Sequence, residues 1–179
     1  RLREAFEAPE ARVFFVATGT AANALSLACL CPPWATVYAH DESHVERDEC
    51  GAPEFFTGGA KLTLIDGDHA RMRPATLAAR ARDASRPGVH HVQNGPVSIT
   101  QATEQGAVYS AGEIAELAGL ARDHGMGVHL DGTRFANALV RSNASPAEMS
   151  WKAGVDILCL GATKNGAMAA EAVVMFDPA

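Results

Sequence analysis

The stretch D-I-L-C-L-G-A-T-K-N-G-A-M-A-A-E-A-V-V-M-F-D, Asp156 to Asp177, decides the fold. Its ends, 156–160 and 172–176, are short apolar runs with the length and composition of buried strands. The eleven residues between them, 161–171, are rich in Gly and Ala. A crossover helix between parallel strands needs roughly a dozen residues or more. The spacing therefore predicts that the last strand runs antiparallel to its predecessor. One lysine, Lys164, stands in the middle of this link.

Upstream, short apolar runs alternate with longer helical ones. Strands are predicted at 12–17, 35–39, 61–65, 96–100 and 127–130, the last ending at Asp131. Residues 20–31 read as a helix stopped by Pro32 and Pro33. A polar and aromatic loop, 41–59, precedes the third strand. Residues 74–84 form a helix with arginines outward, and another runs from Ser110 to His124 and Gly125. Ser110 and Glu113 have the spacing of a capping box, and Gly125 suits a C-terminal cap. Residues 134–141 and 146–153 are also expected to be helical. The alternation predicts an α/β fold, a three-layer αβα arrangement around a mostly parallel seven-stranded sheet with the last strand antiparallel. Ligands of such sheets collect beyond the carboxyl ends of the strands. That edge gathers the loops at 18–20, 40–44, 100–103, 131–134 and 161–164.

The 179 residues are enough for one domain with a substantial core. A formal charge of -6, with no basic cluster, argues against a nucleic-acid partner. No apolar run approaches the roughly 20 residues that span a bilayer, so no membrane partner is expected. Cys29, Cys31, Cys50 and Cys159 match neither a zinc spacing nor a disulfide scaffold. They are read as buried or half-buried free thiols, which places the protein in a reducing cytoplasm. The chain opens inside a helical pattern without an initiator Met and stops as a strand finishes. Residues 1–179 are thus expected to be a domain of a longer protein.

Lys164 is one of three lysines, and the other two, Lys61 and Lys152, lie where water reaches them easily. Lys164 instead follows a buried strand among small residues that leave room for a ligand. A partly desolvated amine forms a Schiff base with a carbonyl readily; the competing reading is a lysine snorkelling from a loop. Asp131, at the end of a central strand, wants a cationic partner if desolvated. A protonated pyridine nitrogen is one such partner; capping the next helix or pairing with Arg134 is the alternative. Thr18, Gly19 and Thr20 stand at a strand end, a turn and a helix start, where free amides and hydroxyls suit a phosphate. The pattern is neither a P-loop nor G-x-G-x-x-G, and taken alone it is better explained by a plain capped helix. His40 and His44 lie beyond the second strand. Asp41 and Glu49 are nearby, but no further ligand completes a metal spacing, so no metal is expected. A histidine stacked on a flat cofactor and placed for proton transfer fits that position better than a metal ligand, and a plain surface-loop histidine is the competing reading. Together a phosphate turn, Asp131 and Lys164 suit the phosphate, ring nitrogen and aldehyde of pyridoxal 5'-phosphate.

The segments T-G-T-A-A-N (18–23), D-E-S-H-V (41–45), H-L-D-G-T-R-F-A-N-A (129–138) and T-K-N-G (163–166) resemble the low-specificity L-threonine aldolases, phenylserine-aldolase-like members included. These are fold-type-I pyridoxal-phosphate enzymes related to the β-eliminating lyases. The resemblance spans essentially the whole chain and implies a lyase that splits a β-hydroxy-α-amino acid into glycine and an aldehyde. It implies Lys164 as the Schiff-base amine, Asp131 at the pyridinium nitrogen and Arg134 near the ring hydroxyl. Gly19 and Thr20 would bind the phosphate, and His44 would stack on the ring and take part in the bond cleavage. Many relatives carry a second histidine after the fourth strand. This chain has Gln101 near that place, so His44 or a water is expected to handle the β-hydroxyl proton. The resemblance also implies a missing amino-terminal segment, a missing carboxy-terminal small domain bearing the substrate-carboxylate arginine, and a homodimer or homotetramer. A lyase eliminating a β-substituent, and a catalytically incomplete fragment, are the competing readings.

Overall fold

The computed structural model describes residues 1–176. A short helix α1 (Leu2–Ala5) leads into β1 (Arg12–Val16). The Thr18 hydroxyl accepts from the Ala21 N–H at 3.1 Å and so caps α2 (Gly19–Leu30). The prolines that follow cannot extend its ladder. Strand β2 (Ala35–His40) is buried along its whole length. The segment 41–59, expected to be a loop, carries two short helices, α3 (His44–Arg47) and α4 (Ala52–Phe56). Gly51 at φ 75° makes the left-handed turn between them, and Pro53 sits in the first turn of the second, where its missing N–H costs nothing.

Next come β3 (Lys61–Ile65), α5 (Pro74–Ala84) and β4 (Gln93–Thr100). The capping box of α6 (Ala111–Asp123) is formed: Glu113 N–H donates to Ser110 Oγ at 3.2 Å, and Ser110 N–H donates to Glu113 Oε2 at 2.8 Å. The chain ends with β5 (Val128–Gly132), α7 (Phe135–Ser142), β6 (Ile157–Gly161) and β7 (Glu171–Met175). The helix expected over 146–153 does not form. Ser150 leaves the helical region at φ -135° and ψ -108°, and its hydroxyl donates to the Pro146 carbonyl at 2.6 Å. Only a turn and a short 3-10 segment, Trp151–Ala153, remain.

The sheet order is β1-β7-β6-β5-β4-β2-β3. Strands β2 to β6 pair in parallel, whereas β7 runs antiparallel to both β6 and β1, as the short link demands. Helices cover both faces. On one side Leu77, Ile114, Leu117 and Phe135 pack against Val97, Ile99, Val128, Leu130 and Leu158. Each such side chain contributes about 1.5–3 kcal/mol of transfer free energy, and together they make this layer the main core. On the other side α2 lies across β6, β7 and β5. The thiols divide: Cys31 and Cys159 are buried, but Cys29 and Cys50 are exposed on the helical layer, contrary to the expectation that all four are sheltered. No helix among the described residues is long and apolar enough to cross a membrane.

Candidate active site

Parallel pairing brings the carboxyl ends of β2, β4, β5 and β6 to one edge of the sheet. There a cavity of about 380 Å³ is lined by Thr18, Gly19, Thr20, Asn23, His44, Thr133, Lys164 and Glu171, among others. The loops after the first, second, fifth and sixth strands thus meet, whereas residues 100–103, expected there too, do not line the cavity.

Asp131 is 2% exposed at the end of β5. Its Oδ1 accepts from the Thr133 N–H at 3.0 Å and the Thr133 hydroxyl at 2.6 Å, and its Oδ2 accepts from Asn23 Nδ2 at 3.0 Å. All these donors are neutral. The alternative roles considered for Asp131 are not taken up: α7 starts after Arg134 without a side-chain cap, and Arg134 makes no ion pair with it among the described residues. Arg134 instead lines a neighbouring groove of about 1010 Å³ together with Asn137 and Arg141.

Thr18 does cap α2, yet its cap serves only the amide of Ala21. Gly19 and Thr20, the first residues of a twelve-residue helix, line the cavity, and amides at a helix start have no intrahelical partner. Lys164 lies in a 3-10 turn, Thr163–Asn165, tied down by Asn165 Nδ2 donating to Gly161 O at 3.1 Å and Ala170 N–H donating to Thr163 Oγ1 at 3.1 Å. Its side chain is exposed at the cavity mouth, not partly desolvated as expected. Gly161 is required below it, since a Cβ there would meet the Thr133 backbone oxygen at 2.6 Å.

His44 begins α3, and its backbone N–H donates to Glu104 Oε1 at 2.8 Å. Its Nδ1 lies 2.8 Å from Glu49 Oε1, and the same oxygen accepts from Asn23 Nδ2 at 2.7 Å. The hydrogen bond to Glu49 raises the His44 pKa above its ordinary value, more than burial lowers it. One continuous chain therefore runs His44–Glu49–Asn23–Asp131–Thr133. Gln101, near the place of the expected second histidine, is not available to the cavity. It is fully buried and clamps Tyr109, donating Nε2 to its carbonyl at 2.8 Å and accepting from its N–H at 3.1 Å.

Sequence reasoning did not single out Asn23, Glu104, Thr133 or Glu171, and weighed Glu49 only as a metal neighbour. The available signals were an amide on the inward face of an otherwise apolar helix and a carboxylate opening an apolar strand. Below Asp131, on the same sheet face, a second buried chain links Ser98 Oγ to His129 Nδ1 at 2.9 Å, His129 Nε2 to Cys159 Sγ at 3.2 Å, and Cys159 Sγ to Ser26 Oγ at 3.2 Å. Burial pushes His129 down to about 4, against the pull of Asp131, so its imidazole is neutral. Among the described residues no group of three or more His, Cys, Asp or Glu is arranged to hold a metal ion.

Known proteins resemble this arrangement closely. The model of the beta-eliminating lyase family matches residues 1–179. A low specificity L-threonine aldolase of Pseudomonas aeruginosa is 44% identical over 175 residues, which are 98% of this chain and 50% of that protein. Its counterpart in another Pseudomonas strain is 42% identical with the same coverage. The structure of a threonine aldolase from Leishmania major superposes with a TM-score of 0.90 at 28% identity, over 98% of this chain and 50% of that one. The chain thus spans about half the length of the curated relatives it matches.

Proposed function

Because the chain belongs to the beta-eliminating lyase family, we propose that it is the large, cofactor-binding domain of a pyridoxal-phosphate-dependent aldolase. The substrates proposed are L-threonine, L-allo-threonine or related β-hydroxy-α-amino acids, cleaved to glycine and an aldehyde. The observation that carries this reading is Asp131, a carboxylate 2% exposed and held only by neutral donors, two of which, Asn23 and Thr133, line the same cavity as Lys164. A buried anion without a countercharge is costly. The protonated ring nitrogen of pyridoxal phosphate would supply that charge, so the residues present fit the group.

When bound, the cofactor supplies an electron sink for the carbanion left by cleavage of the Cα–Cβ bond. The protein's own groups divide the remaining work. Asp131 fixes the charge at the ring nitrogen. The Gly19 and Thr20 amides, at the positive end of the α2 dipole, receive the phosphate, with the Thr18 and Thr20 hydroxyls beside them. Among the described residues that line the cavity Lys164 is the one lysine, and it would hold the cofactor covalently. His44, which lines the cavity, would take the β-hydroxyl proton as the aldehyde leaves, and the α-carbon would take one proton back to give glycine, so that none is gained or lost overall.

The test is to incubate the full-length protein with pyridoxal phosphate, reduce with borohydride and map the label. Lys164 is expected to carry it; label on Lys61 or Lys152 alone would refute the assignment. Glycine and an aldehyde are the expected products. The family's description supports β-elimination as a second reading, for which a 2-oxo acid (2-oxobutyrate from threonine) and ammonia would be found instead. Exposed Phe14, Phe15, Leu25, Phe55 and Phe56 support a homodimer or homotetramer for the complete protein, and the four free cysteines support a cytoplasmic setting.

A further inference from the structure

Glu49 is the least expected group at the site. It lies between α3 and α4, its side chain is completely buried, and no arginine or lysine pairs with it among the described residues. A carboxylate at such depth persists only if its oxygens are well used. One is: Oε1 takes two bonds, from Asn23 Nδ2 at 2.7 Å and at His44 Nδ1 at 2.8 Å. The other, Oε2, is buried without a partner.

The hydrogen-bond directions follow from chemistry. The Asn23 amide nitrogen touches both Glu49 and Asp131. Turning the amide over would place its oxygen against two carboxylates, so the nitrogen must face them, one N–H to each. Both acids therefore act as acceptors toward Asn23. Glu49, acting only as an acceptor, then requires a proton on His44 Nδ1. His44 Nε2 makes no hydrogen bond among the described residues, and the imidazole lines the cavity.

We propose that Glu49 is a positioning residue: it holds the Nδ1 proton of His44 and leaves Nε2 as the nitrogen that receives the substrate's hydroxyl proton, while Asn23 fixes this pair to Asp131. The arrangement matches in logic the acid that orients a catalytic histidine in hydrolytic triads. It also explains how one histidine serves where Gln101 is withdrawn into the structure. This inference rests on the aldolase reading for the identity of the proton but not for the geometry of the pair.

The test has two readouts. In the cofactor-free full-length protein, nitrogen NMR of His44 is expected to show the Nδ1–H tautomer in wild type. Glu49→Gln keeps the shape and removes the charge, so the His44 titration should fall. The groups facing His44 are Glu49, Asp131, Asp48, Glu104 and, across the cavity, Lys164. Of these only Glu49 bonds the ring, so the other charges should leave a smaller remainder. In the holoenzyme Glu49→Gln should lower kcat roughly 10- to 100-fold with KM for a β-hydroxy-α-amino acid changed less than about threefold, and Glu49→Asp should recover part of the loss. In a His44→Asn background the Glu49→Gln change should cost no more than about twofold. An Nε2–H tautomer in wild type, an unmoved titration, or an equal loss in the His44→Asn background would overturn the proposal. If the tautomer and titration behave as expected but no aldehyde is released from any β-hydroxy-α-amino acid, the aldolase reading fails and the positioning role stands.

Discussion

Replacing Asn23 tests whether the polar chain beneath the cavity holds the site together. Its amide makes two hydrogen bonds to carboxylates, at 2.7 Å to Glu49 and 3.0 Å to Asp131. Bonds to charged groups contribute about 1.5–3 kcal/mol each, so the direct loss in Asn23→Ala is about 3–6 kcal/mol. Asn23 borders the cavity, and water entering the gap would recover part of this, which lowers the expectation to about 2–4 kcal/mol. Asn23→Asp is the sharper variant, because it sets a third carboxylate between two others. Like charges raise the folded-state pKa of the new acid above its unfolded value near 3.9. For an acid shifted upward, the penalty is fully present above the raised value and vanishes as pH falls below the unfolded one. Asn23→Asp should therefore be less stable than Asn23→Ala near pH 7 and should close that gap toward pH 4. Calorimetry of the full-length variants across pH measures both quantities. An alanine variant within about 0.5 kcal/mol of wild type, together with an aspartate variant whose deficit does not change with pH, would refute the network.

Three further outcomes follow from the same geometry. Asp131→Asn should weaken pyridoxal-phosphate binding roughly 100-fold or more, since breaking a buried charge pair costs about 3–5 kcal/mol; fluorescence titration of the cofactor-free protein checks this, and unchanged affinity would remove Asp131 from the site. Gly161→Ala should destabilise the fold by about 1–3 kcal/mol, because its Cβ would lie 2.6 Å from the Thr133 backbone oxygen, where no side chain can give way; thermal unfolding reads the change. The raised His44 pKa contributes stability that is full below about 6.5 and lost as pH rises through the higher folded value. Unfolding free energy should show that loss in wild type and lack it in His44→Asn.

Much of the fold follows from local rules. The eleven-residue link leaves no room for a crossover, and β7 is indeed antiparallel. Ser110 and Glu113 carry their capping box by spacing alone. Residues 146–153 mislead because Ser145 and Glu148 also have capping spacing, and they do bond reciprocally at 2.8 and 3.2 Å. That start is overridden four residues later, when the Ser150 hydroxyl competes for a backbone carbonyl. The site splits in the same way. The meeting of Lys164 and the turn at Thr18 at one cavity was legible because strand ends in such a sheet converge. Glu49 and Asn23 were not, because each acts through a partner distant in sequence: Glu49 meets Asn23 across 26 residues, and Asn23 meets Asp131 across 108.

Strand parity supplies part of what motif reading lacks. In V-S-I-T (97–100) and V-H-L-D (128–131) apolar and polar residues alternate, so each strand has one apolar and one polar face. The parallel register sets Ser98 against His129, Thr100 against Asp131, and Asp131 against Cys159. Val97, Ile99, Val128 and Leu130 thereby go to the main core, and the polar members all face α2. A helix packed on such a face must answer it with donors. Asn23 and Ser26, three residues apart and buried on α2, do so by reaching Asp131 and Cys159. Once Asp131 is taken as the group at the ring nitrogen, its parity marks that whole face as polar and directs attention to the amide of α2, which leads in turn to Glu49 and His44. Asp131 and the half-buried His44 are therefore joined through Asn23 and Glu49 in one polar chain, and a change in either should be felt at the other.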